Sequence, residues 1–411
     1  MTDNIEKVLL LQGGGSLGAF GCGVYKALIK NNIHLDIIAG TSIGGINAAI
    51  IAGTKNEEHT EQLLEDFWME LSEGFTDLDK VSYSSYWPKF MTQNLFSNSD
   101  FLKSISIKTP KEFDIGDKYG TKINEQKVKL NQSESFYSSV IFGNDKMFTP
   151  RWSPNYILAD QDYFLPQKWT YLYDHSPLIK TLDRYIDYDK LKPGGNSKIR
   201  LILTAVNVLT AEPLTFDSYR QQITPKHILA TSAYPLYNFS WIEVEAGIYA
   251  WDGSLLSNTP LREVIAASPV KDKMICLVEN YPQRINNLPE NLPDVYHRAR
   301  DIIFSDKSRH NMKMSKVISM YLNYMEELYQ IIEDNIDKLQ LDNGQLKRIR
   351  RKYEKYKKEH GAEIKEMYYI TRDEPYPHLY ENADFRPETI KNAIREGEEK
   401  ANKIINMNKR R

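Results

Sequence analysis

Apolar residues fall into two kinds of pattern along this chain. In the first fifty residues they come as short, nearly unbroken runs separated by glycines. Val8 to Leu11 is such a run, and residues 7–11 read as a strand buried on both faces. The segment AFGCGVYKALIKN, 19–31, has the spacing of a helix. A second short strand follows from Asp36 to Ala39, then the turn GTSIGG and a helix from Ile46 to Ala52. Strand, turn and helix in repetition predict an α/β fold with a mainly parallel central sheet covered by helices. Two later β-rich runs, RLILTAVNVL at 200–209 and KMICLVEN at 273–280, have the composition of further central strands.

Between about 55 and 195 the periodicity weakens. From Phe136 to Tyr173 there are eleven aromatics in 38 residues, well above the chain's 11 %, and Pro150, Pro154 and Pro166 argue for loops. These aromatics either pack on a small core of their own or form a lid or lipid-facing surface. After about 295 the second pattern takes over: RARDIIFSDKSRHNMKMSKVISMYLNYMEELYQIIEDNIDKL predicts one or two long amphipathic helices. LKRIRRKYEKYKKEH, 346–360, then carries eight basic residues between Lys347 and Lys358, suited to a solvated helix face or to anionic headgroups.

Composition narrows the classes. The 411 residues carry a formal charge of -2, which gives no reason to expect a nucleic-acid partner. Two cysteines, Cys22 and Cys276, make no disulfide framework. The N-terminal stretch lacks a basic n-region and a signal-length apolar run, and no segment reaches the roughly 18 apolar residues of a membrane span. The expectation is a cytoplasmic protein, with peripheral membrane association or signal-less export left open.

Chemistry enters at two glycine turns. Gly13-Gly14-Gly15-Ser16-Leu17-Gly18 matches G-x-G-x-x-G between a strand and a helix, and Asp36 follows eighteen positions after Gly18. A ribose-binding acid belongs at the C-terminal end of the second strand, whereas Asp36 precedes Ile37, Ile38 and Ala39. This counts strongly against the dinucleotide reading, which stays as the third hypothesis, and the loop is better suited to donating backbone N–H groups to an oxyanion. The second turn, Gly40-Thr41-Ser42-Ile43-Gly44, is G-x-S-x-G in a strand–turn–helix setting, which suits a serine nucleophile.

A nucleophilic serine needs a base. None of the eight histidines stands in a glycine-flanked strand-end setting; His175 and His227 are the two to test if a triad is demanded. Asp252, in GIYAWDGSLLSNTP at 247–260, lies between a β-like run and a turn with Gly253, Ser254, Asn258 and Pro260. Such a carboxylate can accept a hydroxyl proton during acyl transfer.

QGGGSLG, GTSIGG and WDGS in this order resemble the patatin-like phospholipase family, over roughly residues 5–285. DHSPLIKTLDRYIDYDKL, NVLTAEPLTFD and HILATSAYPLYNF support the resemblance. It implies a three-layer α/β/α sandwich acting on lipid acyl esters without metal or cofactor. Ser42 matches the nucleophile, Asp252 the dyad base, and Gly13, Gly14 and Gly15 the oxyanion-hole glycines; Gly18, Gly40, Gly44 and Gly253 are motif glycines. The implied organisation is an acyl hydrolase domain over 1–295, with an aromatic-rich insertion at about 75–175, and a mostly helical region over 296–411. Two positions depart from the pattern: Leu17, where members often carry Arg or Lys, and Ser254, where they read Gly or Ala. These departures and the basic C-terminal region motivate an alternative, a catalytically weak lipid- or partner-binding protein on the same fold. The aromatic insertion and the basic helix are the expected points of membrane contact.

Overall fold

The computed structural model describes residues 5–74, 138–153, 156–157, 160–305, 308–339, 342–360, 362–374 and 381–408. The expected insertion falls largely on 75–137, outside the described residues. The N-terminal units form as predicted: β1 (Ile5–Leu11), α1 (Ala19–Lys30), β2 (Ile37–Gly40) and α2 (Ile43–Ala52), followed by α3 (Thr60–Glu73). Helix α2 begins three residues before its apolar run does, because Ser42 takes the N-cap position.

Next come β3 (Thr149–Pro150), β4 (Tyr173–Asp174), α4 (Ser176–Tyr185), β5 (Arg200–Asn207), β6 (Pro213–Asp217) and α5 (Pro225–Ser232). The order continues with β7 (Ile242–Glu245), β8 (Ile248–Asp252), α6 (Leu261–Ala267) and β9 (Asp272–Glu279). The C-terminal region adds α7 (Leu292–Phe304), α8 (Ser308–Asp334), α9 (Asn343–His360), β10 (Ile364–Thr371) and α10 (Pro387–Asn408).

Five strands run parallel in the order β10-β9-β1-β2-β5, and β6, β8 and β7 complete an eight-stranded mixed sheet with antiparallel pairings. The unbroken apolar run of β1 is explained by burial on both faces. Leu9 and Leu11 join one core with Phe20, Ile46 and Trp68, while Val8 and Leu10 join the other with Leu261 and Val264. Helices on both sides of the sheet give the expected α/β/α layering, followed by the mostly helical C-terminal extension. That extension is not helical throughout, because β10 pairs with β9.

Strand register explains where the sheet opens. Ile202 and Leu203 of β5 pair with both β2 and β6, so these two strands lie on opposite edges of β5. Ala205 and Val206 pair with both β6 and β8, so β8 shares the β2 edge. Strand β8 therefore takes over where β2 stops: Gly40 faces Leu203 and Asp252 faces Ala205. Two residues of β5, roughly 7 Å, separate those partners.

Candidate active site

The turn after β2 is tight because its glycines touch backbone. A Cβ on Gly40 would lie 2.2 Å from the Gly44 carbonyl oxygen, and one on Gly44 would lie 2.3 Å from that of Leu11. The turn forces Ser42 to φ 57° and ψ −132°, a conformation costly for a side-chain-bearing residue. Its N–H donates to the Thr231 carbonyl at 2.9 Å. Its position at the α2 N-terminus exposes its hydroxyl to the positive end of the helix dipole. Behind the turn, the Thr41 and Thr204 hydroxyls are 2.7 Å apart. Gly253 lies against Thr204, whose Oγ1 would be 2.6 Å from an added Cβ, and Gly18 accepts at its carbonyl from Asn47 Nδ2 at 2.9 Å.

Asp252 ends β8 and is buried. Its Oδ1 accepts from the Ser254 N–H at 2.8 Å. Oδ2 makes no hydrogen bond of full geometry with the described residues. Burial pushes the carboxyl up to about 6, against the smaller stabilising effects of the Ser254 N–H and the Ser42 hydroxyl. A carboxylate so placed is ionised at neutral pH yet basic enough to take a proton.

The glycine turn after β1 closes the site from the other side. Gly13 packs on Ser42, whose Cβ would be 2.8 Å from a Cβ added there. Gly14 (φ 153°) and Gly15 (φ 59°) adopt backbone conformations that other residues resist. Neither N–H is donated to another described residue. Gly13, expected with them as an oxyanion-hole glycine, donates its N–H to Asn258 Oδ1 at 2.9 Å.

Ser42, Asp252 and the three glycines line one cavity of about 880 Å³. Most of its remaining wall is apolar or aromatic. Val140, Phe148, Trp152, Trp169 and Tyr173 come from the aromatic-rich stretch, and Tyr234, Tyr281 and Phe304 from later in the chain. Phe148 and Tyr173 also belong to the main core, so part of that stretch is structural as well as cavity-lining.

His227 serves elsewhere, in a capping box with Thr224 at the start of α5. His175 stacks on Phe239 with ring centroids 3.8 Å apart in the cavity wall, and burial pushes it down to about 3. Neither hydrogen-bonds Ser42 or Asp252. Leu17 packs in a small apolar cluster with Tyr234, Tyr281 and Phe304.

Sequence reasoning missed the C-terminal contribution. Asn382, Ala383 and Phe385 line the cavity, and Ser16 Oγ donates to the Glu381 carbonyl at 2.9 Å. Beside them His297, Asp301, Glu374 and Glu381 bring ligand-type atoms within 4.8 Å of one another, the only such group among the described residues. Two guanidiniums already occupy it: Arg300 and Arg372 donate to Glu381 at 2.9 and 2.8 Å, and Arg300 also to Asp301. Burial, then the neighbouring Glu381, pushes Glu374 up to about 9. The cluster's charge is thus balanced internally, which makes it an ion-pair network and a poor cation site.

A serine on a strained strand-to-helix turn, beside a buried carboxylate and a glycine turn at the strand ends, defines a serine-elbow protein of the α/β class. The chain belongs to the patatin-like phospholipase family, whose model matches residues 9–265, more than half of its length. It is similar to the triacylglycerol lipase SDP1L of Arabidopsis thaliana, 41 % identical over 63 residues, covering 15 % of this chain and 8 % of that protein. Patatin-like phospholipase domain-containing protein 7 of Mus musculus is 33 % identical over 98 residues, covering 24 % and 7 %. The matched stretches thus span less than a tenth of those relatives. Among solved structures, VipD from Legionella pneumophila aligns at 15 % identity and a TM-score of 0.38, over 98 % of this chain and 67 % of that one. The type III effector protein ExoU aligns at 13 % and 0.28, over 98 % and 53 %. Both scores are too low for a shape argument. Among the described residues no helix is long and apolar enough to cross a membrane.

Proposed function

We propose that this protein hydrolyses lipid acyl esters, of the phospholipase A or lysophospholipase type, through a Ser42–Asp252 dyad. The observation that carries the reading is the substitution of β8 for β2 along β5, which brings the buried Asp252 to the end of the Ser42 elbow. Ser42 Oγ attacks the ester carbonyl as its proton passes to Asp252. The oxyanion accepts from the Gly14 and Gly15 N–H groups, each such donor being worth about 3–4 kcal/mol. Collapse breaks the ester C–O bond, and the alcohol leaves with the proton held by Asp252. Water then attacks the acyl-serine, gives its proton to Asp252, and releases the fatty acid as Ser42 recovers its own.

The apolar cavity wall supports an acyl chain as the group bound there. Two of the three features behind the binding-only alternative have structural roles of their own. Leu17 has a packing role, and the Ser254 hydroxyl donates to Asn258 at 3.1 Å. For membrane contact, the exposed apolar residues of α8 and the basic α9 support docking on anionic bilayers.

The test is hydrolysis of p-nitrophenyl butyrate and of phospholipid vesicles, with fluorophosphonate labelling. Ser42→Ala should abolish turnover and labelling, and Asp252→Asn should lower kcat by roughly 10³-fold or more. In the wild type, kcat/KM should fall as pH drops below about 6, where Asp252 takes up a proton. Full activity in Ser42→Ala would overturn the reading.

A further inference from the structure

The oxyanion role given to Gly14 raises a difficulty. Consecutive glycines let a peptide N–H face a site, but equally let it turn away, because either orientation costs little without a Cβ. Something outside the loop has to select one of them.

Asn280, just beyond β9, is buried beside the loop. Its Nδ2 donates to the carbonyl oxygens of Gln12 and Gly13, both at 3.1 Å. Its N–H donates to Gln12 Oε1 at 3.0 Å, and Gln12 Nε2 donates to Thr259 Oγ1 at 2.9 Å. From the other side, Asn258 Oδ1 accepts the Gly13 N–H and the Ser254 hydroxyl, while its Nδ2 donates to the Phe304 carbonyl at 3.0 Å. These partners leave one orientation for the Asn258 amide, since the Gly13 N–H needs an acceptor and the Phe304 carbonyl a donor.

In a trans peptide the carbonyl and the following N–H point to opposite sides. The Gly13 carbonyl and the Gly14 N–H share one peptide plane. Holding that carbonyl on Asn280 therefore fixes the Gly14 N–H on the opposite side. The Asn258 bond fixes the preceding peptide and ties it to Ser254, two residues after Asp252. We infer that Asn280 and Asn258 are positioning residues, which lock the Gly13–Gly14 peptide so that its N–H serves the oxyanion and hold that peptide in register with the Asp252 turn. This rests on the dyad reading above. Ser254, where the family carries Gly or Ala, then has a purpose as the hydroxyl that completes the Asn258 acceptor.

Asn280→Asp tests this with almost no change of volume, since it replaces the donor with an oxygen facing two carbonyl oxygens. With p-nitrophenyl butyrate its kcat should fall roughly 10²-fold, the effect of displacing one oxyanion donor, with KM little changed. Affinity for butylboronic acid, whose tetrahedral adduct needs the oxyanion donors, should fall in proportion, and affinity for decanoic acid should hold. Asn258→Ala should show the same split and carries the test if Asn280→Asp is not recovered folded. The inference is overturned if kcat and boronate affinity stay within about twofold of wild type. It is overturned equally if decanoate and boronate affinities drop together, as general loosening would produce. Ser42→Ala separates the two levels: if it stays active the dyad fails, and if it is inactive while Asn280→Asp matches wild type, only the positioning role fails.

Discussion

Two parts of the C-terminal region carry similar amphipathic patterns and are used in opposite ways. In α10 the apolar face is covered: Ile390, Ile394, Ala401 and Ile405 are buried against α1 and the main core. The crossing is close enough that a Cβ on Gly23 would lie 1.8 Å from the Ile394 carbonyl oxygen, and one on Gly397 2.1 Å from that of Phe20. In α8 the same kind of face is open, with Met320, Tyr321 and Ile331 about 60 % exposed. Helix α8 is joined to α9 by stacked rings of Tyr329 and Tyr353 and by Arg350 donating to Glu333. An amphipathic stripe thus announces that a helix has a face to cover; the glycines at a crossing show where another helix covers it.

The largest effect expected from this contrast is at that crossing. Gly397→Leu has no space to enter, because the obstacle is backbone, so α10 must move off α1. The expected loss is about 3 kcal/mol of stability, measured by chemical denaturation. Activity should fall with it, because Phe385 and Asn382, just before α10, line the cavity. A near-wild-type denaturation midpoint would mean that α10 is an appendage like α8.

The features legible in the sequence were local ones. The glycine turns, the Ser42 elbow and the Asp252 turn each lie within a few residues, and strand and helix patterns around them are strong. Their meeting was not legible, since it depends on β8 replacing β2 along β5. Asn258 read only as a turn residue, and its function arises from Gly13, 245 positions away. Asn280 could have been found by its place: it follows the C-terminal end of a parallel strand, where sites of α/β sheets gather. Strand β10 escaped because IKEMYYIT lies among long amphipathic helices and alternates only weakly. The cavity wall from 382 to 385 gave no signal at all, since it is brought there by β10 pairing and the ion-pair network around Glu381.

A smaller effect sharpens the other side of the comparison. If the α8–α9 hairpin meets anionic bilayers, Arg351→Glu with Lys355→Glu should weaken binding to phosphatidylserine-containing vesicles. Each removed charge is worth about 1 kcal/mol at such a surface. Both residues are exposed and neither lines the cavity, so turnover of p-nitrophenyl butyrate should hold. Vesicle sedimentation that is unchanged by the double reversal would remove α9 from the docking surface.

The smallest effect discriminates most sharply between the two faces. Met320→Ser removes an apolar side chain that is 59 % exposed. It should leave the denaturation midpoint almost unmoved, within about 0.5 kcal/mol, as expected for a surface position. The matching change in α10, Ile390→Ser, places a hydroxyl where nothing is exposed and should cost several-fold more. The ratio of the two losses, measured under identical conditions, compares one amphipathic pattern with and without a cover. If Met320→Ser costs as much as Ile390→Ser, the α8 face is already buried in the isolated protein, and a membrane is no longer needed to account for its apolar stripe.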